Sequence, residues 1–227
     1  NKARPDHITR LKELKLPPAW TDVKLSIDPK APLQATGKDM KGRTQYVYSE
    51  EHTKKAAIDK FNRLKDFARA APKYINKAKK DAETNDSAAA LLLIAATGFR
   101  VGSDADTGAE KKAYGASNLT AEHAKVSPNG KSIMFEFTGK KGVTIKKKVT
   151  DRNVVKHLVP RIEKGGKLFD TSDDKIRDYM KSIQPGFKVK DFRTWNGTNT
   201  ALSHIESMEP PKDEKEFKKM QLEVCKR

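Results

Sequence analysis

The stretch from Ser87 to Phe99 contains no charged residue and is the longest apolar run in a chain of which 34% is charged. Its alanines and leucines favour a helix. Water penalises such a surface, so the segment has to be an interior helix that other elements cover. It is too short to cross a bilayer, which takes about 20 apolar residues. Asp86 or Ser87 can cap a helix over 88–97, and Gly98 fits just past its end. Any fold available to this chain therefore has to be built around one buried helix.

The flanking sequence supplies the cover. Ala56, Ile58, Phe61, Leu64, Phe67 and Ala68 recur at helical spacing, which predicts an amphipathic helix over 51–71. Pro72 is expected to break it or to start the next one. Residues 117–150 have the pattern of a β-meander. Pro128-Asn129-Gly130-Lys131 is its first turn, Ile133, Phe135 and Phe137 share a face, and Gly139-Lys140-Lys141-Gly142 is its second turn. Helical patterns resume at 151–164, 172–183, 190–206 and 212–226, with a capping pattern at Thr171–Asp174. Residues 1–48 are more irregular: a brief helix at 8–14, a strand at 23–27, and a strand pair at 33–35 and 45–48. A mobile cationic loop over 36–43 is expected to join that pair. The fold class is α+β, with a β-rich N-terminal lobe over 1–49 and a mainly helical domain with a small antiparallel sheet over 50–227.

Charge narrows the partners. Lys and Arg number 47 against 30 Asp and Glu, a net +17 with a pI of about 9.8. A polyanion is the natural partner: DNA, RNA or an anionic membrane surface. A membrane is not expected, and the first residues lack the apolar core of a signal peptide. The absence of an initial Met leads to the expectation of a processed or trimmed product. Cys225 is the sole cysteine, which excludes an intrachain disulfide and a cysteine-based zinc site and suits an intracellular, reducing compartment. The five histidines show no ligand spacing, so a metal site is not expected.

Three cations stand out from the rest. Arg100 directly follows the apolar helix. It either pairs with a carboxylate such as Asp104 or awaits an external anion. Lys140 occupies the tip of the hairpin turn, where a lysine is either simply exposed or carried into a groove of nucleic acid to bind phosphate or donate a proton. Arg193 shares a helical face with Lys190 and Thr194 while Phe192 points inward. That face suits a phosphate clamp, or Asp191 takes the arginine in a salt bridge. A phosphoryl-transfer site without metal ligands would need such cations to neutralise the phosphate oxygens.

Longer motifs in the same order resemble the type IB DNA topoisomerases of the small poxvirus and bacterial kind. Leu16-Pro17-Pro18-Ala19-Trp20-Thr21-Asp22-Val23 is close to that family's opening segment. Leu33–Asp39 and Gly42-Arg43-Thr44-Gln45-Tyr46-Val47-Tyr48 are similar to its DNA-facing hairpin. Thr97-Gly98-Phe99-Arg100-Val101-Gly102, Phe137-Thr138-Gly139-Lys140 and Val189-Lys190-Asp191-Phe192-Arg193-Thr194-Trp195 resemble its first arginine box, lysine hairpin and second arginine box.

The resemblance implies relaxation of supercoiled DNA through a 3′-phosphotyrosyl intermediate, without metal or ATP, by a monomer acting as a clamp. Arg193 would hold a nonbridging oxygen, and Lys140, assisted by Arg100, would protonate the 5′-oxygen. Gln45, Tyr46, Lys38, Arg43, Lys141 and Lys190 would contact double-stranded DNA. The cytoplasm or nucleoid, or a viral factory, would house such a protein.

Two departures matter. The family's nucleophilic tyrosine and its histidine lie in a segment after the second arginine box, like His-Thr-Pro followed by Ser-Lys-x-x-Tyr, that has no match here. All five tyrosines precede Arg193, and His204 is in the wrong motif. The expectation is a DNA-binding, cleavage-incompetent fragment whose parent bears the tyrosine beyond Arg227. Ser103 also replaces a base-reading lysine of the poxvirus enzymes. Two other readings are a tyrosine recombinase or integrase, whose second box has histidine where Lys190 stands, and a non-enzymatic DNA-binding protein.

Overall fold

The computed structural model describes residues 5–103 and 112–225, which form two compact units divided between Arg63 and Leu64. The division falls within a helix, after Arg63.

In the first unit, α1 (Pro5–Glu13) precedes an antiparallel sheet of β1 (Thr21–Leu25), β2 (Leu33–Lys38) and β3 (Thr44–Tyr48) in that spatial order. Arg10 pins the helix to the sheet. Its guanidinium donates to Gln34 Oε1 at 2.7 and 3.2 Å and to the Ser26 carbonyl at 2.8 Å, which satisfies an otherwise buried amide. Trp20 lies over Gly37, where a Cβ would come within 2.7 Å of the indole. The expected mobile loop over 36–43 is not present. β2 continues through Lys38, and the turn is closed by the Asp39 N–H to the Arg43 carbonyl and by the Gly42 N–H to the Asp39 carbonyl.

The helix α2 (Glu50–Asp81) runs through Pro72 without a break, contrary to expectation. An interior proline costs a helix about 3 kcal/mol. Here Pro72 is on the exposed face, where the unpaired carbonyl can meet water, while neighbouring Ala71 and Tyr74 are wholly buried. Packing of those neighbours outweighs the lost bond. Phe67 and Tyr74 form an aromatic cluster with Phe187, Phe192 and Trp195, with Phe67 and Phe192 edge to face at 4.8 Å.

The apolar run is α3 (Asp86–Thr97), buried along its length from Ser87 to Ala95. Its cap is Asn85 and neither Asp86 nor Ser87. The Asn85 side-chain oxygen accepts the N–H groups of Ser87 and Ala88 at 2.9 and 3.1 Å. Asp86 instead accepts from Arg161 at 2.6 Å, and Ser87 meets Thr171 at 2.7 Å. Gly98 ends the helix at φ 70°, where its missing side chain avoids strain.

Around α3 pack α4 (Arg152–Lys164), α5 (Asp173–Ile183), α6 (Val189–Glu206) and the inner strand face of a second antiparallel sheet. That sheet is β4 (Ala124–Val126), β5 (Ile133–Thr138) and β6 (Thr144–Val149), again in sequential order. Ile133, Phe135 and Phe137 alternate inward as expected. Asp151 and Ser172 cap α4 and α5, and α7 (Glu214–Cys225) follows α6. The architecture is α+β. No helix among the described residues is long and apolar enough to cross a membrane.

Candidate phosphate-binding site

Three elements of the second unit meet at the C-terminal end of α3. Arg100 follows the α3 cap on an extended segment that Gly115–Asn118 holds from the other side. The Ala116 N–H donates to the Arg100 carbonyl at 2.8 Å, the Ser117 N–H to the Val101 carbonyl at 2.6 Å, and Asn118 Nδ2 to the Ser103 carbonyl at 3.1 Å. The two segments are so close that a Cβ on Gly115 would lie 2.5 Å from the Gly102 nitrogen and 2.6 Å from the Arg100 oxygen. The backbone of Arg100 is therefore fixed, while its side chain is exposed. Asp104, its candidate partner, lies outside the described residues.

Phe99 joins this segment to the lysine hairpin. Its ring meets Phe135 and Phe137 edge to face at 5.7 and 5.0 Å. The Tyr114 N–H also donates to the Thr138 carbonyl at 2.8 Å, just ahead of the turn. Lys140 and Lys141 occupy that turn, both exposed, and Lys141 adopts φ 64°, uncommon for a side-chain-bearing residue. Below the hairpin, His123 packs against Tyr114 with tilted rings whose centres are 4.2 Å apart, and meets Phe137 edge to face. Its Nδ1 accepts the Thr120 N–H at 3.0 Å. Burial, aided by the charge of Lys112 and opposed by Glu122, lowers the pKa of this imidazole below its ordinary value.

The third element is α6. Arg193 Nη1 donates to the Gly98 carbonyl at 2.8 Å, and Asn196 Nδ2 to the Ala95 carbonyl at 2.8 Å. Both bonds use carbonyls left over at the end of α3. Burial, and then the nearby charge of Arg100, lowers the Arg193 pKa. Two arginines thus repel each other at one spot, and among the described residues no carboxylate pairs with either of them. Asp191, the candidate salt-bridge partner, instead accepts the Lys188 N–H at 2.8 Å at the start of α6. Lys190 is exposed one turn before Arg193, and Thr194 bonds back to its carbonyl at 3.4 Å. Among the described residues no anion balances this surface, and a phosphodiester can supply one.

The other expected contacts lie in the first unit. Asp39 draws Arg43 and Gln45 together. Lys38 and Tyr46 belong to the opposite side of the sheet, since Lys38 is paired with Thr44 and Thr36 with Tyr46. Lys38 lies 3.9 Å from Asp22. Tyr46 is 55% exposed and stacks toward Tyr48, which stacks on His52. The sequence reading missed Asp39, Asn118, His123 and Asn196, all of which position other groups. Only Asp39 left a signal, the Asp-x-x-Gly turn pattern. An open groove of about 580 Å³ on α6, lined by Asn199, Thr200, Ser203, His204 and Ser207, includes none of the three cations.

Other sequences place the chain in a class. Residues 45–227 match the family described as the eukaryotic DNA topoisomerase I catalytic core, and residues 2–39 match the bacterial DNA topoisomerase IB N-terminal domain. DNA topoisomerase 1B of Acanthamoeba polyphaga mimivirus is 33% identical, over 93% of this chain and 70% of the viral protein. DNA topoisomerase 1 of Daucus carota is 30% identical over 63% of this chain, and that of Caenorhabditis elegans 28% over 59%. In those two, the match spans 19% of the relative's own length. The chain belongs to the type IB DNA topoisomerase family.

Proposed function

We propose that this chain binds duplex DNA and holds one phosphodiester among Arg100, Lys140 and Arg193, as part of type IB strand cleavage and religation. The observation that carries this is the meeting of the α3 end, the β5–β6 hairpin and α6, with the charge of Arg100 acting on Arg193 and no carboxylate paired with either among the described residues. In the reaction a tyrosine oxygen attacks phosphorus, the bond to the 5′-oxygen breaks, and a 3′-phosphotyrosyl link forms. Arg193 and Arg100 neutralise charge on the nonbridging oxygens. Lys140 gives its proton to the departing 5′-oxygen and takes it back on resealing. These cations supply the charge stabilisation a metal would otherwise provide. Lys141 and Lys190 flank the phosphate, and Lys38, Arg43, Gln45 and Tyr46 engage the duplex from the first unit. The protein acts as a monomer that clamps the duplex with both units.

The same reading makes the chain by itself unable to cut. Tyr74 is buried and donates to the Gln184 carbonyl at 2.8 Å, and Tyr179 donates to Asp81 at 2.8 Å. Burial foremost, then Asp81, drives the Tyr179 pKa far up, against formation of a phenolate. Tyr114 is packed on His123, and Tyr46 and Tyr48 belong to β3. Incubation with supercoiled plasmid tests both halves. Bound but unrelaxed plasmid, with no covalent adduct after denaturant trapping, is expected. Efficient relaxation would overturn the second half, and no binding at low salt would overturn the first.

A further inference from the structure

The β2–β3 turn places one carboxylate among groups expected to meet DNA. Asp39 Oδ1 accepts the backbone N–H groups of Lys41 and Arg43 at 2.9 and 3.0 Å and so holds the turn. Its Oδ2 accepts from Arg43 Nε at 2.8 Å, Arg43 Nη2 at 2.7 Å and Gln45 Nε2 at 2.9 Å. The two oxygens thus do separate work. The side chain of Asp39 is 17% exposed against 68% for Arg43, so the acid is sheltered and the base is presented. The Arg43 hydrogen bond foremost, followed by the turn amides, holds the Asp39 carboxyl down at about 2, and it is ionised at every working pH.

An ionised carboxylate beside a DNA-binding surface is unfavourable on Coulomb grounds alone. Its geometry offers an offset. Arg43 keeps Nη1 and the outer hydrogen of Nη2 free for a phosphate. Gln45, held by one N–H, keeps its carbonyl oxygen and second N–H free with the amide orientation fixed. Two flexible side chains are thereby ordered before any ligand arrives, and ordering them is a cost that binding would otherwise carry.

We infer that Asp39 is a positioning residue that sets Arg43 and Gln45 for contact with the duplex. The inference rests on the proposal that those two side chains touch DNA.

Asp39→Asn in the full chain separates the possibilities. The Asn oxygen still accepts the turn amides, whereas its NH₂ cannot accept from Arg43 or Gln45. Positioning predicts duplex binding weaker by roughly three- to ten-fold at moderate salt, with an unchanged unfolding temperature. In an Arg43→Ala, Gln45→Ala background the same change should have no further weakening effect, a coupling that a merely structural role would not produce. Binding as tight as or tighter than wild type for Asp39→Asn alone would show simple repulsion and overturn the inference. If Arg43→Ala and Gln45→Ala leave binding unchanged while Asp39→Asn weakens it, the DNA-contact reading of this hairpin fails and the inference fails with it. Asp39→Ser, which keeps a turn acceptor, serves the same comparison if Asp39→Asn does not fold.

Discussion

At the residue scale, the arginine site depends on side chains that are absent as much as on those present. Gly115 and Gly102 allow two backbone segments to touch, and the atoms a Cβ would strike on Gly115 are backbone atoms that cannot rotate away. Gly115→Ala should therefore push the Arg100 segment outward, at about 1–3 kcal/mol of stability, and weaken DNA binding. Thermal melting and a binding titration check both effects. Gly197 gives the opposite case. It is exposed within α6, and nothing lies within 4 Å of a Cβ there. Gly197→Ala should raise stability by up to about 1 kcal/mol through helix propensity. A drop in melting temperature would contradict this account of the helix. Asp39, Asn196 and Asn118 belong to this scale as well, since each is a short polar side chain that fixes the place of another group.

At the element scale, the lysine hairpin is held by neighbours as well as by the pairing of its own two strands. Phe99 and Tyr114 pack against or bond to its base, and His123 lies beneath Tyr114 and Phe137. His123 accepts a hydrogen bond at Nδ1, and only the neutral ring can do so. Because its folded pKa lies below the unfolded value of about 6.5, its contribution is complete above that pH. It declines as pH falls toward the folded pKa, since the unfolded chain takes up the proton first. Wild type should therefore melt at a lower temperature at pH 5 than at pH 7.5. His157, also depressed by burial foremost, adds a second share of the same sign. His123→Asn should flatten the pH dependence by its own share. An unchanged slope would mean that the ring does not stay neutral in the fold.

At the scale of the whole molecule, the net charge of +17 acts as a field. Most of its cations are surface groups, several paired with acids one helical turn away, as in Lys54–Glu50 and Lys218–Glu214. Such pairs are worth little to stability, yet the excess of cations still draws a polyanion. Duplex affinity should fall steeply with salt, at least about ten-fold between 50 and 200 mM, because each neutralised phosphate releases a counterion. A titration at several salt concentrations measures the slope, and a flat response would rule out phosphate contacts as the basis of binding.

Much of this was legible in one dimension. The apolar run had to be an interior helix, because a third of the surrounding residues are charged and only that stretch has none. The alternation of Ile133, Phe135 and Phe137 fixed which face of β5 is buried, since side chains in a strand change sides at every residue. Arg100, Lys140 and Arg193 stood out as candidates from their motifs. Local strength was harder to judge. Pro72 reads as a breaker until packing of Ala71 and Tyr74 is known, and Asn85 competes for the cap with two neighbours of the same capping class. The meeting of α3, the hairpin and α6 belongs to tertiary structure alone. Their residues are far apart in sequence, and what joins them is a phenylalanine edge, a helix-end carbonyl and two bare glycines, none of which has a periodic signature. Sequence by itself determined the buried helix and the basic charge, and singled out the three candidate cations. Only the folded chain decided that the ends of α3 and α6 bring Arg100 and Arg193 close enough for their charges to act on each other, because that depends on how packing brings distant elements together.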